Sequence, residues 1–139
     1  MKKKRSKAKG WVLDTPKATP TVPETTTALL NRRMEQFIND ALKPMHIKPP
    51  PHKLDMSYIA DIYSKWYRHY VYLCSKYNDN SPDAISPSFE MKFARLEYVA
   101  DDRYNLSYMR HTGQWFELHK GITLDDCMNV IKGDGNFYP

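Results

Sequence analysis

The sequence predicts an α+β fold. The prediction is an antiparallel sheet of four to five strands, one helix before it, one helix after it, and a basic N-terminal tail. Three observations lead there. Apolar residues between 30 and 42 recur at helical spacing, three segments between 93 and 119 alternate with a period of two, and Leu124–Ile131 return to helical spacing. A chain of 139 residues suits one domain. Aromatics make up 13% of it and concentrate after residue 55, which gives a small domain large rings to bury.

The tail is assigned to residues 1–24 and the domain to 25–139. Lys2, Lys3, Lys4, Arg5, Lys7, Lys9 and Lys17 face only Asp14 and Glu24 in acidic charge. Pro16, Pro20 and Pro23 interrupt a run of Thr, Lys and Ala. Such a composition buries too little apolar surface to offset its ordering entropy, so disorder is expected. Trp11, Val12 and Leu13 form the tail's one apolar patch. The net charge of +5 is carried entirely by this segment. The domain itself is neutral and lacks the clustered cations of a phosphate-binding surface.

The first helix has Leu30, Met34, Phe37, Ile38, Ala41 and Leu42 on one face, with N-caps offered by Thr25, Thr26 and Thr27. Pro44 is expected to end it, because proline lacks an N–H and restricts its predecessor. Pro49, Pro50 and Pro51 then impose an extended connection. Residues 55–77 fit two readings. Their apolar positions make a helix face, while six Tyr, a Trp and a Val favour strands. Residues 78–88 read as a loop.

In the strand region, Ala94, Leu96 and Tyr98 face one way, and Phe93, Arg95, Glu97 and Val99 the other. A three-residue turn His111-Thr112-Gly113 joins the last two strands. It pairs Tyr108 with Phe116 and Leu106 with Leu118 on the core face. On the outer face it pairs Ser107 with Glu117 and Asn105 with His119. Thr123 caps the closing helix, Asp125 and Asp126 suit its first turn, and Gly133 stops it.

Several functions are excluded or unsupported. No apolar run approaches the roughly 20 residues that span a bilayer, and no apolar stretch follows the N-terminal charges as in a signal peptide. A cytoplasmic protein is therefore expected, without membrane contact. Cys74 and Cys127 are far apart and read as reduced, packed thiols. The five His show no metal-ligand spacing, and there is no Gly-rich phosphate loop, so neither metal nor cofactor is expected.

Two constellations remain. Arg95, Arg110, His111, Glu117 and His119 are the candidate catalytic set. A His and a carboxylate would exchange a proton on an RNA phosphodiester while Arg stabilised the anion. Trp66, Arg68, His69, Arg95, Asn105, Ser107 and Trp115 are the candidate binding face, where aromatic and cationic groups would anchor a protein or stack nucleic-acid bases. One face of an antiparallel sheet is commonly solvated, so a binding module is preferred to a ribonuclease-like enzyme. The tail is a candidate for non-specific nucleic-acid contact.

The order of these features resembles a bacterial family of uncharacterised proteins, the domain of unknown function numbered 3024. The resemblance runs from about residue 30 to 138. It is carried by the leading helix, Pro49-Pro50-Pro51-His52, Phe93-Ala94-Arg95-Leu96-Glu97-Tyr98-Val99, Tyr104 through Arg110, Trp115, the acidic-start helix and Asn136-Phe137-Tyr138. It implies that residues 55–77 are a strand hairpin turning near Trp66–His69. The longer 78–90 loop and the basic tail depart from the family pattern. The resemblance implies no activity and no catalytic residues.

Overall fold

The computed structural model describes residues 20–51 and 56–139. The tail up to residue 19, with Trp11–Leu13, and His52 lie outside them. Within the segment assigned to the tail, Val22 packs against the core and Glu24 opens helix α1 (Glu24–Phe37). Pro23 is the residue before the helix, and no side chain caps it. Thr25, Thr26 and Thr27 lie inside the first turn and are not caps. The Glu24 charge suits the positive end of the helix dipole.

Pro44 does not end the helix. The chain passes through a π-turn (Ile38–Leu42), in which the Lys43 N–H reaches the Ile38 carbonyl, and continues as α2 (Lys43–His46). Proline cannot donate to the carbonyl four residues back, and its ring crowds that carbonyl; the wider turn accommodates both. Leu30, Met34, Ile38 and Leu42 stay buried along one stripe across the transition.

The sheet has five antiparallel strands in sequential order: β1 (Ser57–Tyr67), β2 (Tyr70–Asp79), β3 (Ser88–Ala100), β4 (Arg103–Met109) and β5 (Trp115–Ile122). Residues 57–79 are thus a hairpin, turning at Arg68-His69, with Arg68 at φ 55°. Helix α3 (Leu124–Gly133) follows, then a short 3-10 turn (Gly135–Phe137). Thr123 caps α3 as expected, accepting the Asp126 N–H at 3.2 Å. Asp102, at φ 49° in the β3–β4 turn, accepts the Leu124 N–H at 3.1 Å and fixes the start of α3.

The helices cover one face. Leu30, Met34, Ile38 and Leu42 meet Ile62, Val71, Leu73, Leu96, Tyr104 and Leu106 in one core with Leu124, Cys127, Ile131 and Phe137. Two bulges change the expected faces. Leu73 pairs with Ala94 and Cys74 with Lys92, so Phe93 is an extra residue and turns into the core. Ser107 pairs with Glu117 as expected, but Leu106 pairs with His119, so Leu118 is extra. The expected Leu106–Leu118 and Asn105–His119 pairs do not form, and His119 moves to the face of Leu106. A further irregularity pairs Tyr104 with Ile122 beside Gly121, whose φ of +63° suits glycine.

Candidate functional site

The face of the sheet away from the helices carries a continuous cross-strand row, Lys65–Tyr72–Arg95–Ser107–Glu117, one residue from each strand. The next row is Tyr67–Tyr70–Glu97–Asn105. The pleat places both rows on one surface, and Trp115, beside Glu117 on β5, joins them.

Arg95 is the centre. Its guanidinium carbon lies 5.0 Å from the Tyr70 ring centroid and 5.1 Å from that of Trp115. Tyr72 bridges the rings, 6.1 Å from Tyr70 and 5.7 Å from Trp115. An Nη of Arg95 donates to Ser107 Oγ at 3.4 Å. Lys92 Nζ lies 5.7 Å from the Tyr72 ring.

A polar chain runs beside this cluster. The His69 Nε2–H donates to Glu97 Oε2 at 3.0 Å, with the proton assigned to that nitrogen by its carboxylate partner. Asn105 Nδ2 donates to Glu97 Oε1 at 3.2 Å, and Asn105 Oδ1 accepts the Gly121 N–H at 2.9 Å. Burial pushes the Glu97 carboxyl up, but hydrogen bonds from His69 and Asn105, with the charges of His69 and Arg95, bring it below its ordinary range. Burial, then the Glu97 charge, raises the Tyr70 phenol, which keeps its proton at neutral pH. The His69 ring lies 4.2 Å from that of Tyr70.

Among the described residues, two buried side-chain atoms have no hydrogen-bond partner: Arg95 Nε and His69 Nδ1. Both belong to this one cluster. Buried polar atoms are ordinarily satisfied, so two without partners in one cluster is an uncommon coincidence.

The sequence-derived binding face is divided by the fold. His69, Arg95, Asn105, Ser107 and Trp115 come together. Trp66 lies on the helix side, where its indole N–H donates to Asn31 at 2.6 Å. Arg68 sits at the hairpin tip, with its guanidinium 5.2 Å from the Tyr67 ring. The catalytic set is dispersed. Arg95 is central, Glu117 is near β5's outer edge and pairs with Lys120 at 3.6 Å, and His119 has changed face. Arg110 and His111 are at the β4–β5 tip, where Arg110 stacks 5.8 Å from the Phe116 ring. No hydrogen bond or ion pair joins any two of the five. The one His–carboxylate pair on this surface is His69–Glu97, with one ring nitrogen engaged and the other sealed.

Sequence reasoning missed a neighbouring network. Glu90 accepts from the Tyr63 hydroxyl at 2.5 Å and from Lys65 at 3.0 Å, with Lys92 at 3.6 Å. The signal was absent because residues up to 90 read as a loop. Among the described residues no cluster of three His, Cys, Asp or Glu is placed to hold a metal, and no helix is long and apolar enough to cross a membrane.

Comparison with curated proteins and with solved structures returns no match. Residues 22–139 match the family described as Domain of unknown function (DUF3024), which spans the leading helix, the whole sheet and the closing helix. On that match, the chain belongs to the DUF3024 family.

Proposed function

We propose that this protein is a non-enzymatic binding module whose uncovered sheet face, centred on Arg95 between Tyr70 and Trp115, engages a protein partner. The observation that carries the reading is the packing of Arg95, Tyr70, Tyr72 and Trp115 into one patch on the face that the helices leave uncovered. Trp, Tyr and Arg in a packed patch are the residue types that dominate protein interfaces.

Charge favours protein over nucleic acid. Lys65, Lys76, Lys92 and Arg95 on this face are matched by Asp61, Glu90, Glu97 and Glu117, so the surface supplies no net attraction for phosphates. The dispersal of the five catalytic candidates, and the burial of the one His69 ring nitrogen that has no partner, weigh against the ribonuclease reading. The basic tail would add non-specific nucleic-acid contact at most. A cytoplasmic setting suits two buried thiols that stay reduced.

The test is retention of proteins from native extract by the full chain and by a Tyr72→Ala/Trp115→Ala variant, with binding to single-stranded RNA measured in parallel. The reading expects a protein retained by the parent chain and lost by the folded variant. Salt-sensitive RNA binding that depends on Tyr72 and Trp115, with no such protein, would replace it by nucleic-acid recognition. RNA cleavage that depends on His111 and Glu117 would replace it by the enzyme reading.

A further inference from the structure

A second surface lies at the end of the sheet, separate from the Arg95 cluster. Strand β3 starts at Ser88, but its pairing with β4 begins only at Ala94, opposite Tyr108. Residues 88–92 are therefore bonded to β2 alone. Antiparallel bonding alternates between the two sides of a strand. The Asp79 N–H donates to the Pro87 carbonyl at 2.9 Å, which fixes the phase. Tyr77/Phe89 and Ser75/Met91 are then the bonded pairs toward β2. The N–H and C=O of Glu90 and Lys92 point the other way, along an open edge.

A groove of about 540 Å³ adjoins this edge. Phe89 and Met91 line it and are 42% and 47% exposed. Met109 and Tyr138 add apolar wall, and Arg110 and His111 stand at the hairpin tip. Arg110 stacks on Phe116 but has no carboxylate within ion-pair distance among the described residues. The acidic side chain in the lining, Glu90, is already held by Tyr63, Lys65 and Lys92. Arg110 is thus a cation of the groove without an acidic partner among the described residues.

Unpaired strand edges are templates for added strands, and side-chain pockets beside them select what is added. We infer that the 88–92 edge of β3 takes an extended peptide with alternating apolar and acidic side chains. Its backbone pairs with Glu90 and Lys92, its apolar side chains lie over Phe89 and Met91, and a carboxylate meets Arg110. This site stands on the strand edge and does not depend on the proposed role of the Arg95 face.

The probe is a capped alternating valine–glutamate hexapeptide, added to the full chain and followed by amide NMR and hydrogen exchange. At a peptide concentration near ten times its Kd, the Glu90 and Lys92 amides should exchange about tenfold more slowly, while the Trp115 indole resonance stays in place. R110E, at an exposed tip, should weaken binding roughly two- to fivefold, the scale of an exposed charge pair. An N-methylated version of the peptide and a valine–lysine peptide should bind much more weakly. Unchanged exchange at Glu90 and Lys92, or equal affinity for either control peptide, overturns the assignment. So does protection that appears without peptide and rises with protein concentration, which would give the edge to a second copy of the chain.

Discussion

The Arg95 guanidinium lies 5.1 Å from the centroid of the Trp115 ring, joining two strands that are not neighbours in the sheet. With Tyr70 at 5.0 Å on β2, Arg95 draws residues from three strands into one patch. The contact depends on a planar cation. Arg95→Ala should therefore lower stability by about 1–2 kcal/mol, two partly buried cation–π contacts less the relief of an unpartnered Nε. Arg95→Lys keeps the charge but not the plane and should lose at least half as much. Urea unfolding of both variants checks this; a lysine variant as stable as the parent would show that charge alone is at work.

The Glu97 carboxyl titrates below its ordinary range, so its contribution to stability has a definite sign. The stabilisation is complete above the ordinary glutamate range and disappears as the pH falls through the lowered value. Glu97→Gln should cost about 1 kcal/mol at neutral pH, the scale of a charge-assisted hydrogen bond discounted for partial exposure. The gap between parent and variant should close on acidification. Urea midpoints across the acid range test it, and a gap independent of pH would contradict the assignment.

Cys74 and Cys127 are buried, and burial pushes their thiols up to about 11 and about 12. The thiolate is the reactive form. Neither should react with Ellman's reagent at neutral pH in the folded protein, and both should react at the rate of unfolding as denaturant is added. Rapid labelling of either thiol in the native state would show that it is accessible.

These features were unequally legible in the sequence. The alternation of Ala94, Leu96 and Tyr98 with Arg95 and Glu97 identified the outer face, and Ser107–Glu117 register survives in the structure. Beyond that pair the register slips, because a bulge at Leu118 leaves no mark in an alternating pattern. Trp66 was misplaced for a related reason. In residues 55–77, helix and strand periodicity both fit, and the turn uses Arg68 at positive φ where a glycine or asparagine would have announced it. Pro44 announced a helix end that the π-turn absorbs, since the buried stripe continues to Leu42. The edge at Glu90 and Lys92 was illegible because it is defined by where β4 stops, which is a tertiary fact.

The most direct test of the Arg95 face is site-specific photocross-linking in the native cell. A photoreactive phenylalanine analogue at position 72 lies between Tyr70 and Trp115, and the same analogue at the exposed Lys132 position on α3 serves as control. The account predicts a discrete protein adduct from position 72, absent from position 132 and lost when Trp115→Ala is added. No adduct at position 72, or the same adducts from both positions, would contradict it.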